Sequence, residues 1–184
     1  MEEKHQCTCH QNNADHHHDC SCGCGHSHDS HLDDLALNDG LAISLELDNK
    51  LESSKFFEIL TEDPWVSQWL LNGQFIDLRA GGKLKIGDQD YLITDYQDSA
   101  FIAFMTDYGI LNLDLASGAD SSIMLQYWVE ELNQATITEL TRWLIRLNNI
   151  QYLASNEELI DEEIELEAMV EEVQDLLFSE IEEV

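Results

Sequence analysis

The chain has 184 residues, of which 43% are hydrophobic, and it carries a formal net charge of −30 at pH 7. This length and apolar content are enough for one folded domain with a buried core. The charge repels nucleic acids and anionic membrane surfaces, and it attracts cations and basic proteins. We therefore expect neither a nucleic acid nor a membrane as a partner, whereas a basic protein fits the charge.

The first five residues, Met1 to His5, include neither a basic region nor an apolar stretch. We therefore do not expect a secretory signal peptide there. No run of about 18 apolar residues is present in the sequence, so we expect no membrane-spanning helix. The expected location is the cytoplasm, whose reducing conditions keep cysteines as thiols.

Residues 1–31 hold every cysteine and every histidine of the chain. These thirteen candidate metal ligands are His5, Cys7, Cys9, His10, His16, His17, His18, Cys20, Cys22, Cys24, His26, His28 and His31. Thiolate and imidazole are the usual donors for Zn²⁺, Ni²⁺ and Cu⁺. The segment is otherwise polar and poor in aliphatic side chains, so we predict a tail that is disordered without metal.

The cysteines of this tail are separated by single residues, in Cys7-x-Cys9 and Cys20-x-Cys22-x-Cys24. Structural zinc sites usually leave two to four residues between ligands, whereas thiolates this close share soft ions more readily. The cysteine spacing resembles metallothionein-type sequences. The histidine runs resemble the histidine-rich tails of nickel and zinc chaperones and of GTP-dependent metal-insertion proteins. Both resemblances cover roughly residues 5–31 and imply metal binding there.

The mixed thiolate and imidazole set fits Zn²⁺ best, with Ni²⁺ and Cu⁺ as alternatives. Thirteen donors are enough for about three tetrahedral ions if no donor is shared. Two other interpretations are a purification tag and a solvated tail without a physiological ligand. Cysteines interleaved with histidines favour metal binding over both.

Residues 32–50 become richer in Leu and Ile, and apolar residues alternate from Leu41 to Leu47. This alternation favours a short strand, with a helix start as the alternative. From Ser53 the spacing of Phe56, Phe57 and Leu60 is helical.

A second short helix is predicted directly after the first. Asp63 would cap it, Pro64 would lie in its first turn, and Gly73 would end it.

Residues 74–115 change to the period-two pattern of strands. Turn signals divide this segment into about five short strands; they are Gly81-Gly82, Gly87-Asp88, Gln97-Asp98 and Tyr108-Gly109. Connections this short are typical of an antiparallel meander. Phe101 to Met105 is apolar on both faces, which predicts a central strand.

Three basic residues, Arg79, Lys83 and Lys85, surround one predicted hairpin. We interpret them as a solvated sheet edge that discourages pairing with other strands. The alternative is a small docking spot for an anion or a partner.

The last third of the chain is predicted to be helical, while residues 119–132 fit either a helix or a strand. Thr136-x-x-Glu139 and Ser155-x-x-Glu158 both match the capping box that begins a helix. Residues 157–184 repeat apolar side chains at three-and-four spacing and are otherwise strongly acidic. Repulsion between these acidic residues disfavours an isolated helix, so we expect it to pack on the domain or on another chain.

Beyond residue 31 the sequence offers little for catalysis. The absence of His and Cys there excludes Ser-His-Asp and Cys-His arrangements within the folded part. Neither a Walker-type phosphate loop nor a Gly-x-Gly-x-x-Gly motif is present. We therefore do not expect an enzyme.

The sequence as a whole predicts an α+β fold, in which a small antiparallel sheet of about five strands has helices before and after it. The predicted divisions are a metal-binding tail at 1–31, a domain at 32–156 and an acidic amphipathic helix at 157–184. The expected function is that of a cytosolic protein that captures, buffers or delivers Zn²⁺, Ni²⁺ or Cu⁺, with a metal-recipient protein as the expected partner in delivery. The alternative is an acidic adaptor or chaperone-like protein that binds a basic partner, with an accessory or metal-sensing tail.

Overall fold

Alternating apolar side chains produce seven strands, which pair into one antiparallel sheet with the order β1-β7-β6-β5-β4-β3-β2. The strands are β1 (Leu41–Asp48), β2 (Gly73–Ile76), β3 (Lys83–Ile86), β4 (Gln89–Gln97), β5 (Phe101–Met105), β6 (Gly109–Asp114) and β7 (Ser122–Val129). The helices are α1 (Ser53–Thr61), α2 (Val66–Trp69), α3 (Gln134–Ser155) and α4 (Glu162–Ile181). This computed structural model describes residues 40–115 and 122–181, so the predicted tail at 1–31 lies outside the described residues.

The α+β class and the antiparallel sheet are confirmed, but the predicted number of about five strands is too small. The segment at 73–114 does hold five strands, β2 to β6. The two further strands are β1, which alternation predicted, and β7, which the sequence left open between helix and strand. These two pair with each other along their whole length, from Leu41 opposite Val129 to Asp48 opposite Ser122. That pairing joins distant parts of the chain, so local pattern does not show it.

The predicted central position of Phe101 to Met105 is confirmed, because β5 has three strands on either side. Side chains on one face of the sheet, here called the inner face, form the core; they include Leu84, Ile93, Phe104, Leu111 and Tyr127, which are all buried. The opposite face, here called the outer face, is in part exposed to solvent. Met105 of β5, for example, is 47% exposed there.

Helix α3 covers the inner face of the sheet through Trp143. The Trp143 ring stacks on Phe104 at a centroid distance of 5.2 Å and meets Tyr91 edge-on at 5.7 Å. Fully burying such a side chain stabilises the fold by roughly 1.5–3 kcal/mol. Helix α4 packs on α3, and its buried side chains Val170 and Val173 join the same core.

Both predicted capping boxes are wrong. The N-cap of α3 is Asn133, whose Oδ1 accepts hydrogen bonds from the backbone N–H groups of Ala135 and Thr136. Glu139 lies more than one turn inside the helix and turns into the core instead. At the other predicted box, Ser155 ends α3, since Asn156 adopts the left-handed conformation that closes a helix.

The predicted limits of the second short helix are also wrong. Trp65, rather than Asp63, is the residue that precedes α2, and no side chain caps it. Gly73 does not end a helix but begins β2, and the left-handed turn before it is made by Asn72. A Cβ atom at Gly73 would collide with the Leu70 side chain, so close packing explains the glycine.

The basic hairpin is not a sheet edge, because β3 is paired on both sides and β2 forms the edge beyond it. Lys83 and Lys85 therefore belong to an interior strand of the sheet, and their exposed side chains project from its surface. Among the described helices, none is both long and apolar enough to cross a membrane.

Replacing Asn133 by Ala should lower the free energy of unfolding by about 1 kcal/mol, because two backbone N–H groups lose their acceptor. Urea denaturation monitored by circular dichroism measures this difference. Ser155→Ala is the matched control, and it should change stability by less than about 0.5 kcal/mol because Ser155 caps no helix start. Equal losses in the two variants would contradict the assignment of the cap.

Candidate functional site

All thirteen predicted metal ligands, from His5 to His31, lie outside the described residues. Within 40–115 and 122–181, no group of three or more His, Cys, Asp or Glu side chains is arranged to hold a metal ion. The acidic surface of the folded part therefore offers no geometric support for a second metal centre. The structure leaves three other features to be considered: a buried polar network, a cleft beside it and an exposed apolar row.

The polar network is built around the Glu139 carboxylate, which is buried between α3 and the sheet. Its Oε1 atom accepts hydrogen bonds from Tyr91 Oη at 3.2 Å and from Trp143 Nε1 at 3.0 Å. The Tyr91 hydroxyl is also within hydrogen-bonding distance of Gln89 Oε1, at 2.9 Å. Helix periodicity brings Glu139 and Trp143 onto the same face of α3, one turn apart.

Arg146 continues the network one turn further along α3. Its guanidinium forms a bidentate pair with Glu162, with Nε to Oε2 at 3.0 Å and Nη2 to Oε1 at 3.2 Å. The group also lies over the Trp143 ring, 5.4 Å from its centroid. Arg146 is buried, and its Nη1 atom has no hydrogen-bond partner among the described residues. The pair ties the first turn of α4 to α3.

Two buried tyrosines have raised pKa values. Burial raises the pKa of Tyr91 to about 12, and the nearby Glu139 charge adds to this effect while Arg146 opposes it. Burial also raises the pKa of Tyr127 to about 12, although a hydrogen bond with Thr106 works in the opposite direction. Both phenols are therefore neutral near pH 7. A buried hydrogen-bonded network of this kind positions α3 on the sheet.

A cleft of about 420 Å³ opens beside Arg146, between α2, α3 and the start of α4. Trp69, Leu71 and Ile86 supply apolar walls, and Asp161, Glu162 and Glu163 supply carboxylates. Asn149 closes one end by exchanging two hydrogen bonds with the backbone of Ile160, at 2.7 and 3.0 Å. Because Glu162 already compensates Arg146 and two more carboxylates line the cleft, the site does not favour an anion.

The outer face carries an apolar row across the sheet. Strand register aligns Trp128 of β7, Ile110 of β6, Met105 of β5, Leu92 of β4, Lys83 of β3 and Ile76 of β2. We call the five apolar members of this line, without Lys83, the outer row. All five are exposed, and Trp128 has 53% of its side chain accessible.

Acidic residues border one side of the outer row. Asp107, Tyr108 and Glu130 line a shallow depression of about 290 Å³ at the ends of β6 and β7. Asp90 pairs with Lys83 at 2.9 Å, and this hydrogen bond holds the pKa of the Asp90 carboxyl below its usual value. Ion pairs found in the described part of the chain involve neither Asp107 nor Glu130.

Sequence reasoning missed the network because its residues resemble other motifs. Glu139 matched a capping box, and Arg146 is one of few basic residues in an acidic chain. The usable signal was the i, i+4 spacing of Glu139 and Trp143 inside an apolar stripe, where an unpaired carboxylate would be costly. For the outer row, the usable signal was that the sequence from Phe101 to Met105 is apolar on both faces of the predicted strand.

Comparison with known proteins supports the fold alone. No family model matches the chain, and no curated protein matches it either. The chain is similar to the structure of a conserved protein of unknown function from Enterococcus faecalis, with 18% identity and a TM-score of 0.60. That similarity covers 77% of this chain and 87% of the other.

Two other solved structures are similar to the chain. CalU16 from Micromonospora echinospora, in its solution structure, has 12% identity and a TM-score of 0.55 over 73% of this chain and 83% of its own. An AHSA1-like protein from Rhizobium etli has 9% identity and a TM-score of 0.52 over 67% of this chain and 88% of its own. Identities this low establish a shared fold and carry no activity across.

Alkaline pH should destabilise the protein through Tyr91 and Tyr127. The raised pKa values make their full contribution to the free energy of unfolding below pH 10. This contribution is lost between pH 10 and about 12, because the two phenols ionise first in the unfolded state. Each tyrosine should steepen the fall in unfolding free energy by up to about 1.4 kcal/mol per pH unit in that window.

Urea denaturation at successive pH values measures this slope for the wild type and for the Tyr91→Phe, Tyr127→Phe double variant. The double variant is less stable at pH 7 but should show a shallower fall above pH 10. An equal slope in both proteins would refute the assignment.

Proposed function

We propose that the protein is a non-enzymatic metal-binding protein that captures, buffers or delivers a transition metal through its N-terminal tail. One observation carries the proposal: all five cysteines and all eight histidines lie between residues 5 and 31. A random distribution would spread such residues along the chain. Their concentration, at spacings of one or two residues, supplies several overlapping donor sets for borderline and soft ions.

Overlapping donor sets suit transfer better than permanent storage. An ion held by thiolates and imidazoles can exchange one ligand at a time, so hand-over to a metal-recipient protein needs no free ion. Gly23 and Gly25 flank Cys24 and leave the backbone free to wrap around an ion. The net charge of −30 raises the local concentration of cations around the molecule.

Zn²⁺ is the proposed ion, because a mixed set of thiolates and imidazoles suits it best. Ni²⁺ and Cu⁺ are the alternatives, since affinity order alone favours copper over both nickel and zinc. Availability of the metal in the cytoplasm, the proposed location, then decides which ion is bound.

A second candidate function is that of an acidic adaptor or chaperone-like protein that binds a basic protein, with the tail accessory or metal-sensing. The exposed outer row, bordered by acidic residues, favours this alternative. Its apolar members lie together on the outer face, whereas isolated apolar side chains on a surface would need no explanation.

The full chain purified without an affinity column should carry stoichiometric metal, which native mass spectrometry and elemental analysis identify. Replacing all five cysteines by Ser should abolish binding of Cu⁺ and strongly weaken that of Zn²⁺, because the thiolates are lost. A matched variant with all eight histidines replaced by Gln separates the imidazole contribution. Wild-type protein that takes up Zn²⁺, Ni²⁺ and Cu⁺ no better than the two variants would refute the proposal.

Metal loading should depend on pH because protons compete with the metal for its ligands. Imidazole with an ordinary pKa of about 6.5 is neutral at pH 7.5 and mostly protonated below about pH 6. We therefore expect apparent Zn²⁺ affinity to fall by at least about tenfold from pH 7.5 to 5.5. Competition titration with a chelator indicator, corrected for the indicator's own pH dependence, measures the change. Affinity that stays constant over this range would exclude His and Cys as ligands.

A further inference from the structure

The outer row is an apolar strip on a sheet face that the described helices leave open. Helix α3 covers the inner face, whereas Trp128, Met105 and Ile76 are each about half exposed on the other side. An apolar sheet face is normally buried against a second layer. Trp128, Ile110, Met105 and Leu92 are adjacent across four neighbouring strands and form a continuous apolar strip. Lys83 separates them from Ile76, the fifth member of the row.

We propose that the outer row binds an amphipathic helix of a partner protein, which lies across the strands and carries basic residues along one flank. This inference rests on the adaptor function and identifies its surface and its partner. It is independent of metal binding by the tail, because every residue involved lies in the sheet or directly beyond the end of one of its strands.

Spacing favours a helix over an extended peptide. Neighbouring strands lie about 4.8 Å apart, so each step along the row is close to the roughly 5.4 Å rise of one helical turn. From Trp128 to Ile76 the row crosses five strand intervals, or about 24 Å, which a helix of about 16 residues spans. Apolar side chains at i, i+4, i+7 and i+11 would then meet successive strands. An extended peptide would instead pair with a sheet edge, at β1 or β2.

Charge favours a basic flank on that helix. Asp107 follows Met105 by two residues and Glu130 follows Trp128 by two, so both carboxylates lie at that end of the row in the chain. The described ion pairs include neither carboxylate, although Asp107 Oδ2 accepts a hydrogen bond from Gln89 Nε2 at 3.0 Å. Lys83, within the line, is already compensated by Asp90. Lys85, which strand register places beside Asp90 on the same border, has no described ion pair, so the border is negative near Trp128 and positive near Lys85. Lys or Arg on the part of the partner helix nearest Trp128 would complement the negative stretch.

The same charge disfavours a second copy of this chain as the occupant. Two molecules with a formal charge of −30 each repel one another, and a symmetric contact would bring the same acidic border together twice. A partner that carries opposite charge is both attracted from a distance and correctly oriented at contact.

Binding of a designed peptide to the full chain tests the proposal. The probe is a dye-labelled helical peptide of about 18 residues, with Leu at i, i+4, i+7 and i+11 and Lys along one flank. A second peptide of the same composition has its Leu and Lys positions permuted, so that charge is kept and the stripe is lost. Fluorescence anisotropy with chelator present should show the first peptide binding at least about tenfold more tightly than the second.

Variants of the protein locate the binding surface. Trp128→Thr with Ile110→Thr should weaken binding of the first peptide by at least about tenfold, because two neighbouring apolar contacts, including the largest side chain of the row, are lost. Leu71→Ser, which alters an exposed leucine away from the outer row, should leave binding unchanged. Asp107→Asn with Glu130→Gln should weaken binding and reduce its dependence on salt. Circular dichroism and urea denaturation establish that each variant is folded.

Three outcomes would overturn the proposal. The first is equal affinity for both peptides, which would indicate attraction by charge alone. The second is unchanged affinity in the Trp128→Thr, Ile110→Thr variant. The third is a wild-type dimer in sedimentation equilibrium that this variant dissociates, since the occupant would then be a second copy. None of these outcomes affects the metal-binding measurement on the tail.

Discussion

The rest of the structure depends on the packing of α3 against the inner face of the sheet. Trp143 is the centre of this contact, since it stacks on Phe104 and meets Tyr91 edge-on. Such aromatic pairs contribute about 0.5–1.5 kcal/mol beyond the area they bury. Helix α4 then packs on α3, so its own position follows from that of α3.

A buried carboxylate in this contact gives α3 a defined position as well as stability. Glu139 accepts hydrogen bonds from Tyr91 on the sheet and from Trp143 on its own helix. Sliding α3 along the sheet would break the first of these bonds and leave the buried carboxylate with Trp143 as its remaining donor in this network, which costs about 1–3 kcal/mol. Arg146 extends the same constraint to α4 through Glu162. The network thus explains why a charged group is retained within an aromatic core.

The two faces of the sheet differ in a way that bears on function. The inner face is filled by aromatic and aliphatic side chains and holds no activated catalytic group among the described residues. The outer face keeps an apolar row in contact with solvent beside uncompensated carboxylates. The exposed apolar row of the sheet and the Cys and His residues concentrated in residues 5–31 are the features on which the two proposals rest. The two proposals concern separate parts of the chain and are compatible.

Composition and local period determined the α+β class, the antiparallel meander and the central position of β5. They also placed every soft metal ligand in residues 1–31, because residue type alone decides where such donors lie. Tertiary structure decided the pairing of β1 with β7, the true cap at Asn133 and the burial of Glu139 and Arg146. It also decided that Met105, on the second apolar face of β5, stays exposed whereas Ala103 on the same face is buried. These features depend on contacts between residues far apart in sequence, and periodicity shows which side chains share a face but not what that face meets.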